Sequence, residues 1–351
     1  MVVEPPRKVY RVGAPMIGTR YFGIVDQGTN IVEVRPTSLC PLNCIFCSVA
    51  AGPLERRRWA DFIADREELA EALRAVAKLK GPGLEVHIDG MGEPAVYPEL
   101  VELVSDIRGI KEVEAISMQT RLFMLSEEKI RELAEAGLDR INLSLDALEP
   151  ALAKRLAGAS YYDPARAAAL AEFAVRNTRM DVLVSPVWLP GLNDGELPKI
   201  AKWAVEAGLG KRWPPVLIQK YLPHKRGRRP DGVRPVEWPE FWRWLRRLEK
   251  ELGIRLDWRG ENPFRVERRP AVPKPHRAGE RVKARVIARG VFKGEYLAVP
   301  LKLSGDPLLD RSITVTSDKR LREGDEVVAR IIEDEDNVYI ARAELVFPQS
   351  A

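Results

Sequence analysis

The chain has 351 residues, 56 Lys and Arg against 51 Asp and Glu, a net charge of +5 and 45% hydrophobic residues. That length suits one large core and a second, smaller one, and no apolar run nears the roughly 20 residues of a membrane-spanning helix. Three cysteines, an odd number packed into eight residues, exclude a disulfide scaffold, and the start Met1-Val-Val-Glu-Pro-Pro-Arg7 lacks the apolar segment of a signal peptide, so a reducing, cytoplasmic setting is expected.

In chain order, Ile31–Arg35 alternates and is rich in β-branched residues, which predicts a strand leading into Cys40-Pro-Leu-Asn-Cys44-Ile-Phe-Cys47. Phe62, Leu69, Leu73 and Val76 at helical spacing predict a helix over Asp61–Leu79. A strand at Leu84–Ile88 runs into Asp89-Gly90-Met91-Gly92-Glu93-Pro94, and a helix follows at Pro98–Ile107. The next strand, Val113–Met118, leads to Gln119-Thr-Arg121; the helix after it, Ser126–Ala136, has Glu127 and Glu128 in its first turn and a stop at Gly137. A strand at Arg140–Leu145 holds Ser144 and meets Asp146. Beyond it come a helix at Pro164–Val175, a strand at Met180–Val187, a helix at Leu197–Ala207, a strand at Val216–Tyr221 and a helix at Pro239–Leu252 bearing Phe241, Trp242, Leu245 and Leu248.

Six β-then-α units predict a parallel sheet with helical crossovers, and where such units form barrels the chemistry gathers at the carboxyl ends of the strands. From about His276 the pattern changes. Arg281–Arg289, Glu295–Leu303, Ser312–Ser317, Glu326–Ile332 and Asn337–Val346 alternate as five short strands, the signature of a small antiparallel barrel. The expected organisation is an N-terminal extension over 1–30, an α/β domain of these six units over 31–260, a linker over 261–275 and a small β-barrel over 276–347.

Charge is uneven along this frame. Lys211–Arg277 holds nineteen Lys and Arg against eight Asp and Glu, so the remainder of the chain is net acidic. Such a concentration points to an anionic partner. Its sharpest patch is the loop Tyr221–Pro230 with Lys225, Arg226, Arg228 and Arg229; Trp238, Trp242, Trp244 and Trp258 are interleaved in the rest. The C-terminal segment itself is balanced, with thirteen basic and thirteen acidic residues over 276–347.

Cysteine thiolates are the ligands of iron–sulfur clusters. Three on one loop cover three irons of a cubane, and with no fourth cysteine one iron is left open or bound by something else. A Cys3His zinc site using His87, His224 or His276 is an alternative, and three inert thiols a further one.

The C-x3-C-x2-C pattern, with Phe46 before its last cysteine, resembles the signature of the radical S-adenosylmethionine (SAM) enzymes. The Gly90-Met-Gly92-Glu93-Pro stretch at the end of the next strand resembles that family's Gly-Gly-Glu-Pro motif, with Met91 splitting the glycine pair. Asn142-Leu-Ser144-Leu-Asp146 resembles its Ser-Leu-Asp element. The resemblance covers roughly residues 30–225 and implies that the six units over 31–260 form the family's partial (β/α)6 TIM-like barrel. It implies a [4Fe–4S] cluster on Cys40, Cys44 and Cys47, with SAM on the open iron, held by Phe46, Gly90, Gly92, Glu93, Gln119 and Ser144. It also implies an electron-donor protein of the ferredoxin or flavodoxin type. The tail resembles the TRAM domain of some tRNA-modifying enzymes, and the whole resembles an archaeal group of radical SAM proteins through Arg35-Pro-Thr-Ser-Leu-Cys40, Pro186-Val-Trp-Leu-Pro-Gly191 and Gln219-Lys-Tyr221. The second cysteine triplet of the methylthiotransferases and the two reactive cysteines of the rRNA methylases are missing, which implies a single cluster. Substrate candidates are Arg121, Trp188, Lys220, Lys225, Arg226, Arg228 and Arg229. The expected activity is hydrogen abstraction from an anionic substrate, RNA such as tRNA or a nucleotide. The alternatives are the same chemistry on a small metabolite, lipid or peptide, and a non-catalytic RNA-binding protein with a structural metal.

Overall fold

The structure is a computed structural model and describes residues 7–349; the first six residues of the expected 1–30 extension lie outside the described residues. That extension contributes two strands, β1 (Lys8–Val12) and β2 (Gly23–Asp26). The predicted strand Ile31–Arg35 forms as β3. The predicted helix over Asp61–Leu79 is corrected: its first part is a strand, β4 (Ala60–Ala64), and only Arg66–Lys80 is helical (α1). Asp65 is the switch, because its carboxylate accepts the amides of Glu67 and Glu68 and so opens the helix there. Strand β5 (Leu84–Ile88) and helix α2 (Leu100–Arg108) follow.

Next come β6 (Val113–Thr120), α3 (Glu127–Ala136) and β7 (Arg140–Leu143). Ser126 caps α3 and Gly137 ends it in the left-handed conformation, as their residue types predict. A helix not anticipated from the sequence, α4 (Pro150–Ala157), starts on a Glu149 cap with proline in its first turn. It precedes α5 (Pro164–Asn177) and β8 (Asp181–Val184). The strand expected over Met180–Val187 breaks at Ser185-Pro186, and its far end is the short β9 (Val187–Trp188). Beyond α6 (Leu197–Glu206), the strand expected over Val216–Tyr221 reduces to β10 (Gln219–Lys220), parallel to β9, with Val216 bridging to Val184. Helix α7 (Trp238–Leu252) buries Phe241, Leu245 and Leu248. The tail forms β11 (Arg281–Arg289), β12 (Glu295–Pro300), β13 (Ile313–Thr316), β14 (Glu326–Glu333) and β15 (Ile340–Phe347).

The chain divides into two compact units. One comprises residues up to Leu39, Glu55–Glu114 and those from Glu267 onward; the other comprises Cys40–Leu54 and Ala115–Val266. In the first, β2 runs antiparallel and β5 parallel to β3, while β1 and β4 form a parallel pair. Phe62 of β4 stacks with Tyr10 and Tyr21 in its core. The five tail strands close a barrel in the order β11-β12-β13-β15-β14, antiparallel at every junction except the parallel β13–β15. The N-terminal segment is bonded to this barrel: Ser312 donates its amide to Ile17 and Tyr339 to Gly18, at 2.9 and 2.7 Å. Gly18 sits at φ +123° with the Ser312 carbonyl where a Cβ would be, so no other residue fits there. In the second unit β6, β7 and β8 run parallel, and their carboxyl ends at Gln119, Ser144 and Ser185 open onto one polar cluster.

Candidate active site

The cysteine loop belongs to the second unit and is fastened there at many points. The amides of Asn43 and Ile45 donate to the carbonyls of Ala157 and Leu156, both at 3.0 Å, so the open C-terminus of α4 holds the loop by carbonyls a helix end leaves unsatisfied. Gly158, left-handed after α4, meets the Asn43 backbone where a side chain would begin. Asn43 Oδ1 accepts the Leu54 amide at 2.9 Å, and Tyr161 donates its hydroxyl to Pro41 at 2.6 Å. From the basic loop, the Arg228 amide donates to the Cys47 carbonyl at 2.9 Å. The Arg228 guanidinium donates to Cys44 and Ala51 carbonyls at 3.1 and 2.6 Å. Gly227 lets that loop approach, since a Cβ there would stand about 3.0 Å from the Ser48 carbonyl oxygen.

The three thiols are not joined in disulfides. Cys47 Sγ accepts the Ala51 amide at 3.3 Å, the kind of N–H···S bond that tunes a cluster-ligating thiolate. Burial pushes the Cys44 thiol up to about 11, against the pull of the nearby Arg121 and Arg228 charges. Three thiols on a pinned loop, one with an amide donor and two guanidinium groups nearby, fit an anionic iron–sulfur cluster.

Around the loop, Arg121 is buried and pairs with Asp146 at 2.6 Å. Its guanidinium also lies 5.8 Å from the Phe46 ring centre and 5.6 Å from that of Tyr162, within cation–π range. Asp146 further accepts the Val187 amide at 2.8 Å. Gln119 Nε2 donates to Ser144 Oγ at 2.6 Å and to Ser185 Oγ at 3.0 Å, tying together three adjacent strand ends. Asn142 takes Arg140 Nε at 2.7 Å and is thereby committed within the sheet. Ser185 and Tyr162 were missed in the sequence. Ser185 could have been found as the first residue past a parallel strand; Tyr162 carries no motif.

The glycine-rich stretch lies in the first unit. Glu93 donates its amide to the carbonyl of Leu39, the residue before Cys40, at 2.7 Å, and Gly92 lies so close to Leu39 that a Cβ would fall on that carbonyl. Gly90 holds φ +141° against Arg35. Glu93 is buried and caps the turn Pro94–Val96 through the Ala95 amide, and Met91 is fully packed. Arg58 supports the stretch from behind, reaching the Met91 and Ser38 carbonyls and the buried Asp61, the last at 2.6 Å.

The remaining predicted residues are elsewhere in the second unit. Trp188 is buried, stacked on Trp244 at 3.9 Å and hydrogen-bonded to Asp194 at 2.8 Å. Lys220 lies 5.0 Å over the Trp238 ring. Lys225 and Arg229 are exposed and Arg226 half-buried.

The Radical SAM superfamily model matches residues 34–204. The solved structure of the FeFe-hydrogenase maturase HydG from Carboxydothermus hydrogenoformans has the same fold, with a TM-score of 0.50 at 15% identity over 63% of this chain and 52% of that one. The chain belongs to the radical SAM superfamily, an enzyme family whose cofactors are a [4Fe–4S] cluster and SAM. Within it, a Methanocaldococcus jannaschii protein named "Uncharacterized protein MJ0103" is 33% identical over 347 residues, which cover 93% of this chain and 78% of that protein. The GTP 3',8-cyclase of Paenarthrobacter nicotinovorans is 30% identical over 200 residues, covering 54% of this chain and 53% of its own length. The probable GTP 3',8-cyclase of Methanococcus aeolicus is 25% identical over 241 residues, covering 60% and 78%. The chain thus spans about half the length of the bacterial cyclase.

Proposed function

We propose that this enzyme binds one [4Fe–4S] cluster through Cys40, Cys44 and Cys47 and uses it with SAM to abstract hydrogen from an anionic, nucleotide-type substrate. The observation that carries the reading is the thiol loop itself, pinned by α4 and Arg228. When bound on these thiols, the cluster would supply the electron for SAM cleavage to a 5′-deoxyadenosyl radical, and a ferredoxin- or flavodoxin-type protein would deliver that electron. The motif resemblance implies that Gly90, Gly92 and Glu93 would offer backbone carbonyls and a carboxylate to the SAM ammonium group and that Phe46 would border its adenine. Gln119 and Ser144 keep a hydroxyl and an amide oriented at the strand ends. Arg121 stays charged beside the thiols, where it offsets negative charge. The nucleotide reading is supported by the names of the cyclases above and by the basic excess of Lys211–Arg277, in which Lys225 and Arg229 face solvent.

The test is anaerobic iron and sulfide analysis with EPR of the reduced protein. The expected result is a [4Fe–4S] signal that shifts on adding SAM and is lost in Cys44→Ala, and 5′-deoxyadenosine release that rises with a nucleoside triphosphate pool. Zinc in place of iron, or a cluster indifferent to SAM, overturns the cofactor assignment. Deoxyadenosine release that nucleotides leave unchanged overturns the substrate class.

A further inference from the structure

The first unit holds a cavity of about 300 Å³ at the side of the tail barrel. Its walls come from β11, β12, the segment between β13 and β14, and Trp59, which enters from just before β4. Three arginines line it, Arg289, Arg320 and Arg322, against one carboxylate, Glu323. That carboxylate is already engaged, accepting Lys8 Nζ at 3.0 Å and the Tyr10 hydroxyl at 2.7 Å. The arginine charges therefore dominate the cavity.

Aromatic surface completes the wall. Trp59 packs edge-on against Tyr296 with ring centres 5.6 Å apart, and the Arg289 guanidinium lies 5.6 Å from the indole. The Trp59 backbone is fixed by its amide on Val291 and its carbonyl under the Lys8 amide, at 2.9 and 3.1 Å. Its indole N–H, however, is buried and has no acceptor among the described residues. That N–H is closed off from the cavity, so a ligand meets the indole by its ring.

We propose that this cavity binds one nucleotide unit, with its base against the Trp59–Tyr296 wall and its phosphate on Arg320 and Arg322. Flat aromatic surface takes any base by stacking and arginines take the backbone, the combination used by single-strand binders. A duplex is excluded by size, because the volume is at the small end for ligand sites. The chemistry is shared by a free nucleotide and by one residue of a single-stranded RNA. The inference does not rest on the substrate proposed for the cluster.

The test uses the full chain and two probes, a fluorescein-labelled single-stranded RNA octamer and a fluorescent nucleoside monophosphate, read by anisotropy over a salt series. The variants are Arg320→Ala/Arg322→Ala and Trp59→Leu, which keeps an apolar side chain and removes the stacking face. Arg281→Ala, whose arginine is paired to Glu344 at 2.6 Å, is the control. The double arginine variant is expected to bind at least tenfold more weakly and to flatten the log–log salt slope by about 0.7 per arginine. Trp59→Leu is expected to weaken binding about fivefold or more, the loss of one base–aromatic stack. Iron content and SAM cleavage stay unchanged in all three. Loss with RNA alone identifies a strand as the source, loss with the monophosphate alone a free nucleotide, and loss with both a site that takes either. Failure of both probes to bind, or binding that these substitutions leave unchanged, overturns the proposal.

Discussion

Replacing Arg228 with alanine should loosen the cysteine loop without touching a thiol. The side chain donates to the Cys44 and Ala51 carbonyls, one on each side of Cys47. Hydrogen bonds to a charged group are worth about 1.5–3 kcal/mol each. Arg228 is half-buried, so the lower figure applies and the pair contributes about 3 kcal/mol. At 1.4 kcal/mol per factor of ten, the population of opened loop rises about 100-fold. The assay is the rate of iron release from reconstituted protein to a chelator, followed anaerobically by absorbance. Arg229→Ala, one residue along and exposed, is the control and should release iron at the parent rate. Equal release from the parent and Arg228→Ala would refute the claim that this arginine buttresses the loop. For the same reason, an alanine series meant to probe substrate contacts should change Lys225 and Arg229 and leave Arg228 in place.

Gly92→Ala forces a methyl group onto the Leu39 carbonyl and should cost about 1–3 kcal/mol, a fall in the calorimetric midpoint of about 2–4 °C per kcal/mol; an unchanged midpoint would mean the close approach is not needed. Asp146→Ala strands the buried Arg121 charge and should cost about 3–5 kcal/mol in denaturant unfolding, whereas adding Arg121→Met should recover part of that loss; strict additivity would argue against the pair. Burial tends to raise the Glu196 carboxyl, but Lys199 and the Leu148 and Glu149 amides outweigh it and hold the group below the usual carboxylate range. Its stabilising contribution is therefore complete above the unfolded value of about 4.3 and lost as pH falls through the lower folded one. Glu196→Gln should flatten the acid limb of a midpoint-against-pH curve, and an unaltered limb would count against the assignment.

Where local chemistry decides an element, it was legible. Ile31–Arg35 and Leu84–Ile88 form over the residues their alternation predicts, and the ends of α3 follow from Ser126 and Gly137. The helix expected from Asp61 failed because Phe62 lies seven residues before Leu69, in helical phase, while β4 gains its order from β1, some fifty residues earlier in the chain. The parallel closure of β13 on β15 was hidden for the same reason, since register between distant strands is not written in either one. At the site, the thiols and glycines carried a pattern and were found. The groups that support them were not recognised as such: Arg228 was read with its basic neighbours as a substrate candidate, Ser185 had no motif, and α4 was too short to stand out.

The buttress also carries a consequence for biosynthesis. Cys44 and the guanidinium that holds its carbonyl are 184 residues apart, and the α4 carbonyls that take Asn43 and Ile45 also lie far downstream. A ribosome therefore releases the three thiols well before the helix and arginine that shape their loop exist. Iron delivered to such a nascent chain would meet unshaped thiols, so stable loading belongs after Arg228 has been translated and docked.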